Sequence, residues 1–368
     1  MQVPFLDLKT QHKDIEEDIK KEFSDILENT AFVSGKRVEN FESELSDYCG
    51  SNYAVACNSG TSALHLALMG HGIGDKDEVI TQPNTFFATA EAISHAGATP
   101  VFADIDPQAL TLDPKKVEDA ITEKTRAIIV VHIYGIASPM DELREIADKN
   151  NLVLIEDAAQ AHGAEYRGKR LSSLGGTTCF SFYPSKVIGA AGEGGAIVTN
   201  NREIYERMLA LRDHGQTAKH EHTYVGYNYR MTELQGAVLA IKLKKLDNWL
   251  ASRRNNAALY SRLLAGLEPR LTTHPSPEYS NCAYYLYVVS ARDRDNLKKY
   301  LNENGIGAAV HYPTPVHLQP AYKELGYNRG DMPCAEKHAE EILSLPMYPE
   351  LKEEQIKYVC DKIKEFYS

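Results

Sequence analysis

The chain has 368 residues, of which 43% are hydrophobic and 25% charged, with a formal net charge of −11 at pH 7. At more than twice the ~150 residues of a typical domain, it can build one large or two unequal domains, each with its own core. The acidic balance excludes the basic footprint of a nucleic-acid binder, and no apolar run reaches the ~18 residues needed to span a bilayer.

The opening segment, MQVPFLDLKTQHKDIEED, lacks a basic stretch followed by an apolar one, so a cytoplasmic protein with no membrane partner is expected. Residues 1–30 read as a helical arm. From about 50 to 200, short apolar runs alternate with longer amphipathic stretches. YAVAC, DEVIT, TPVFAD, RAIIVV, LVLIED, TTCFSF and GAIVT read as seven strands, being short, β-branched and bounded by turn residues. SALHLALMG, FFATAEAISHAG, PKKVEDAI and PMDELREIADKN between the earlier ones read as helices. The alternation predicts an α/β fold, a mainly parallel seven-stranded sheet flanked by helices, with ligands at the carboxyl ends of the strands.

Two long helical stretches follow, over roughly 201–213 and 232–265, the second carrying the one tryptophan, Trp249. Further on, CAYYLYVVS reads as a strand, RDNLKKYLNENG as a helix, HYPTPVHLQP as a Pro-rich loop, for which a rigid turn with His317 exposed is the plainer of two readings, and LKEEQIKYVCDKIKEFY as a final helix. The expected division is a large domain over 31–250 and a smaller C-terminal α+β domain over 251–368. The six cysteines (Cys49, Cys57, Cys179, Cys282, Cys334, Cys360) form no C-x-x-C, so buried free thiols are expected rather than a zinc site or disulfides. His220-Glu221-His222 reads as exposed loop and His65 as packed or half-exposed, and no metal is predicted.

Three segments carry chemistry. Asn58-Ser59-Gly60-Thr61-Ser62 follows a strand and opens a helix, whose free N–H groups suit an anion, with Gly60 letting a phosphate approach the backbone. The plainer alternative is an N-cap by Ser59 or Thr61. No P-loop or dinucleotide fingerprint is present. At the end of LVLIED, Asp157 is a carboxylate on a strand that reads as buried, and a buried charge needs a partner. A protonated pyridine nitrogen is one such partner; a helix cap or an arginine is the other reading. Glu156 should point to the opposite face and act structurally. The third segment places Lys186 in a turn after FSFYPS and before the glycine-rich Gly189–Gly195 stretch. A lysine at its ordinary pKa of ~10.4 is a poor nucleophile near neutrality, a difficulty avoided when it binds a carbonyl cofactor as an imine.

These segments resemble the DegT/DnrJ/EryC1/StrS sugar aminotransferases, fold-type-I pyridoxal-phosphate enzymes. The likeness runs in order from VPFLDL at Val3 through Pro83-Asn84-Thr85-Phe86, Glu156-Asp157-Ala158-Ala159-Gln160, Ser181-Phe182-Tyr183 with Lys186, Gly192-Glu193-Gly194-Gly195, Gly226-Tyr227-Asn228-Tyr229-Arg230 and His311-Tyr312-Pro313 to Ser344-Leu345-Pro346. The resemblance implies pyridoxal 5′-phosphate as cofactor, bound by the large domain. It implies that Lys186 holds the cofactor, that Gly60, Thr61 and Ser181 meet its phosphate, that Phe86 stacks on its ring, that Asp157 pairs with the ring nitrogen and that Gln160 lies near the phenolic oxygen. Asn228 would reach the phosphate across a homodimer interface, so that active sites are shared. Arg230, His311 and Tyr312 resemble the substrate-facing set.

The implied reaction moves an amino group from an amino acid, L-glutamate by family analogy, to a nucleotide-linked keto sugar. The segment from His311 to His317 looks like that of members working on 3-keto hexoses; 4-keto sugars and keto-cyclitols are the alternatives. Dehydratases of the family carry histidine where this chain has Lys186. A cofactor-bound regulator without turnover is the reading from a different class.

Overall fold

The computed structural model describes residues 1–368, and in it the seven apolar runs form one sheet. Its strands are β1 (Tyr53–Cys57), β2 (Glu78–Thr81), β3 (Thr99–Phe102), β4 (Thr125–Val131), β5 (Val153–Asp157), β6 (Thr177–Ser181) and β7 (Gly195–Thr199), in the order β1-β7-β6-β5-β4-β2-β3. Only β7 runs against its neighbours, β1 and β6; every other pair is parallel. The architecture is thus the mainly parallel α/β sheet that the sequence predicts.

Helices α1 (Leu8–Lys13) and α2 (Glu16–Glu28) precede the sheet, followed by α3 (Lys36–Cys49), α4 (Gly60–Gly70), α5 (Phe87–His95), α6 (Pro114–Ala120), α7 (Met140–Lys149) and α8 (Arg202–Arg212). Apolar side chains of α4, α5 and α8 cover one face of the sheet, and those of α3, α6 and α7 the other. Because side chains alternate along a strand, β5 sends Ile155 and Asp157 to the α4–α5 face and Glu156 to the opposite one. Burial on both faces accounts for the continuous apolar runs.

The expected helix over 232–265 is two helices, α9 (Glu233–Leu243) and α10 (Leu246–Leu264), separated at Lys244–Lys245. Helix α10 is continuous through residue 250. Its Leu246 and Leu250 belong to the core of the large sheet, whereas Ala257, Tyr260 and Leu264 belong to a second core. That second core lies beside an antiparallel sheet of β8 (Leu271–Thr273), β9 (Tyr287–Ala291) and β10 (Ile342–Leu345), packed with α11 (Arg294–Glu303) and α13 (Glu353–Tyr367). Val3 is buried in it too, its N–H donating to Gly305 O at 2.9 Å. Of the predicted strand CAYYLYVVS only the end forms β9, because the backbone before it docks on a loop: Ala283 N–H donates to Gly135 O at 3.0 Å.

The Pro-rich loop also differs from expectation at His317. This residue is 1% exposed, with Nε2 3.2 Å from Glu336 in α12 (Pro333–Glu341), while Val316 N–H donates to Pro83 O at 2.7 Å. The loop is pinned to the large sheet's loops, which buries the histidine. Five cysteines are buried and Cys334 is half-buried, all as free thiols, and His220, Glu221 and His222 are exposed. No helix is long and apolar enough to cross a membrane.

Candidate active site

Ser59 ends the extended segment after β1 and caps α4, its Oγ accepting from Ser62 N–H at 3.1 Å. The cap therefore falls to Ser59, while Thr61 faces a cavity. A Cβ on Gly60 would lie 2.5 Å from Ser181 Cβ, so glycine alone lets the first turn of α4 meet the end of β6. The first N–H groups of a helix have no partner within it, and here they open on the cavity beside Ser181.

Asp157 ends β5 and is 5% exposed. Its Oδ2 accepts from Thr89 Oγ1 at 2.8 Å and its Oδ1 from Ala159 N–H at 3.1 Å, but no cationic group pairs with it. Burial pushes this carboxyl above the ordinary range, against the pull of those two hydrogen bonds and of the Lys186 and His132 charges. Glu156 is the structural neighbour the sequence suggests, closed off by His132 Nε2 at 3.1 Å and Thr178 Oγ1 at 3.2 Å.

Lys186 sits in the turn after β6, its N–H donating to Tyr183 O at 2.8 Å. That turn closes tightly: a Cβ on Gly189 would come within 2.3 Å of Pro184 O. The ammonium makes no salt bridge and lies 4.7 Å from the centroid of the Tyr285 ring. Phe86, which precedes α5, is 53% exposed instead of joining the core beside it, and its ring is 5.5 Å from that of Tyr312. The Gln160 side chain accepts from Tyr134 N–H at 2.7 Å through Oε1 and donates to the Tyr312 hydroxyl at 3.2 Å through Nε2.

All of these meet at one cavity of about 520 Å³. Eight of the eleven predicted site residues line it: Gly60, Thr61, Phe86, Asp157, Gln160, Ser181, Lys186 and Tyr312. Three do not. Asn228 is exposed, and Arg230 is paired with Asp213. The His311 ring stacks on Phe5 and puts Nδ1 3.0 Å from Ser344 Oγ. A larger open groove of about 1190 Å³ runs along α1 and α2 but holds none of the predicted residues.

Sequence reasoning missed Thr89, Tyr285 and Glu193, which also line the cavity, and Tyr134 behind it. Glu193 stands in a quoted motif, but its neighbours gave it no role. Thr89 follows Thr85 by one helical turn, which was the only available signal.

Residues 13–364 match the DegT/DnrJ/EryC1/StrS aminotransferase family. The chain belongs to that family. It is 45% identical to a pleiotropic regulatory protein of Geobacillus stearothermophilus, over 100% of this chain and 99% of that one. It is 43% identical to a dTDP-3-amino-3,4,6-trideoxy-alpha-D-glucose transaminase of Streptomyces venezuelae, over 99% and 96% respectively. The crystal structure of S. venezuelae DesV in complex with a ketimine intermediate superposes with a TM-score of 0.97 at 42% identity, covering 99% of this chain and 98% of that one.

Pyridoxal 5′-phosphate is the cofactor of this family, and the cavity fits it on its own evidence. A buried carboxylate lacking a cation, an unpaired lysine ammonium, an outward-facing phenylalanine and a glycine cradle at a helix N-terminus are complementary to a pyridinium, an aldehyde, a flat ring and a phosphate.

Proposed function

We propose that this enzyme transfers an amino group from an amino acid, L-glutamate, to a nucleotide-linked keto sugar, and that the sugar is a 3-keto hexose on dTDP or UDP. The observation that carries the aminotransferase part is the convergence of the Asp157 carboxylate and the Lys186 ammonium on one cavity beside the Gly60–Ser181 cradle. Two things support the sugar and the position: the whole-chain likeness to a transaminase named for a dTDP-3-amino sugar, and the His311–His317 segment.

Bound pyridoxal phosphate supplies a carbonyl that takes up amines and a ring that stores an electron pair. The chain does the rest. Asp157, kept dry and held by Thr89 and Ala159, secures the proton on the ring nitrogen. Lys186 would hold the cofactor through its Nζ, and once free of it Nζ would take the proton from the donor's α carbon. In the second half-reaction Nζ delivers a proton to the sugar carbon. Gln160 Nε2 and the Tyr312 hydroxyl, 3.2 Å apart, would meet the cofactor's phenolic oxygen, and Phe86 would cover the ring. Donor and sugar use one site in turn, so the kinetics are ping-pong.

We read the working unit as a homodimer. Asn228 is exposed and does not line its own cavity, in a segment where Val225 is 93% exposed, and by the family resemblance it would serve the partner's phosphate site. Arg230, whose planar fork suits a diphosphate or carboxylate, acts on the sugar nucleotide from the same segment.

The experiment offers matched 3-keto and 4-keto nucleotide sugars with glutamate and places the nitrogen by NMR. An amine at C3 is expected. An amine at C4 with no turnover of 3-keto sugars overturns the position and leaves amino transfer standing. A regulatory role is suggested by the name of one relative. It predicts no conversion of the cofactor's visible absorbance on adding glutamate, whereas the proposal predicts conversion.

A further inference from the structure

Tyr134 is 1% exposed, yet it occupies the left-handed region of backbone space, with φ at 59°, which residues bearing a Cβ rarely adopt. The turn it belongs to is wedged in place. Gly135 follows with φ at 96°, and a Cβ there would lie 2.9 Å from Tyr284 N. This conformation aims the Tyr134 N–H at Gln160 Oε1, 2.7 Å away. Since Oε1 is the atom that accepts, the amide's other end, Nε2, is the one turned to the Tyr312 hydroxyl and the cavity. An oxygen anion in the cavity therefore meets a donor.

The Tyr134 hydroxyl makes a second connection. It lies 2.6 Å from His311 O and 3.0 Å from His338 Nε2. A carbonyl only accepts, so the hydroxyl proton goes to His311 O and the hydroxyl must accept from His338. His338 is therefore protonated on Nε2. Its Nδ1 is buried without a partner, as fits a neutral ring. Burial, with a smaller push from His274, holds this imidazole down at about 3. Helix α12 thus fixes the hydroxyl, the hydroxyl fixes the backbone of residue 311, and residue 312 carries the phenol that meets Gln160.

We propose that Tyr134, backed by His338, is a positioning residue that orients Gln160 and Tyr312 toward the cofactor without lining the cavity. This rests on the aminotransferase reading, in which the cavity holds pyridoxal phosphate. Without the hydroxyl anchor, the left-handed turn relaxes, His311 O is released and the Gln160 amide is free to rotate.

The test follows the visible absorbance of the holoenzyme against pH, with no substrate present. A donor at the cofactor's phenolic oxygen favours the anionic oxygen, so a misoriented Gln160 raises the pH midpoint. Tyr134→Phe and His338→Leu are each expected to raise it by about half a pH unit. His338→Gln, which keeps an N–H at similar reach, should stay near wild type. Unchanged midpoints in Tyr134→Phe and His338→Leu overturn the positioning role alone. A wild-type protein without the absorbance of lysine-bound cofactor overturns the underlying aminotransferase reading instead. Failure of both variants to fold, judged by circular dichroism, assigns the pair to the core and also overturns the positioning role.

Discussion

Thr89, in the first turn of helix α5, donates its hydroxyl to Asp157 Oδ2 at 2.8 Å, and Thr85 Oγ1 stands 2.9 Å behind it. With Thr89 donating onward, Thr85 donates to Thr89, so a short hydroxyl chain ends on the carboxylate.

That chain stabilises the charged form of Asp157, the form a pyridinium requires. Without cofactor, the carboxyl can escape the loss of a donor by taking up a proton; with cofactor bound it cannot. Thr89→Val is therefore expected to weaken pyridoxal phosphate binding by about tenfold, the value of one hydrogen bond to a charged group. Titration of apoprotein by absorbance measures it, and an unchanged Kd would remove Thr89 from the account.

The pH dependence of the apoprotein has a definite sign. Because burial raises the folded carboxyl of Asp157, the native state binds more protons than the unfolded one between the ordinary carboxylate pKa and the raised value. Stability from this group is lost as pH rises through that window. Against Asp157→Asn, which does not titrate, wild-type apoprotein should lose ground as pH rises and recover it as pH falls. Thermal unfolding of both apoproteins across a pH series checks this, and parallel curves would contradict it.

Gly60 packs on Ser181 with no room for a methyl group. Gly60→Ala should cost about 1–3 kcal/mol of overpacking at the phosphate cradle, read as a cofactor Kd raised about fivefold or more. Adding Ser181→Gly, which removes the Cβ that the new methyl meets but also the hydroxyl facing the phosphate, should recover part of the lost folding stability, read by thermal unfolding, without recovering cofactor affinity. A double variant no better than the single would place the strain elsewhere.

Much of the fold was legible because the strands of the large sheet are short, mostly apolar runs closed by turn residues, and burial on both faces left them few polar interruptions, Glu156 in β5 among them. The break between α9 and α10 was not. No glycine or proline marks it, and Lys242 just before it is buried with Nζ donating to Gly189 O at 2.5 Å. At the site, Asp157 stood out as a carboxylate ending an apolar strand, and Lys186 as a lysine in a turn just before a glycine-rich stretch. Thr89 and Tyr134 did not, since their roles depend on contacts 68 and 26 residues away in sequence. His317 read as exposed because a Pro-rich loop carries no sign of what covers it.

The shared-site proposal makes a prediction about mixtures. A dimer of one Lys186→Ala and one Asn228→Ala subunit would contain one site with both lesions and one with neither. Mixing the two inactive proteins should restore activity, up to half of wild type per mixed dimer. Full activity in a species that sediments as a monomer would end the idea.

The most direct test of the central claim is the absorbance spectrum of Lys186→Ala beside wild type, recorded with pyridoxal phosphate and then with glutamate. Wild type should show the visible band of lysine-bound cofactor and lose it on adding glutamate. The variant should show no such band, and its steady-state turnover should fall by about 10²–10⁴-fold or more. Wild-type turnover in Lys186→Ala would contradict the assignment of Lys186, and with it the reaction proposed for this chain.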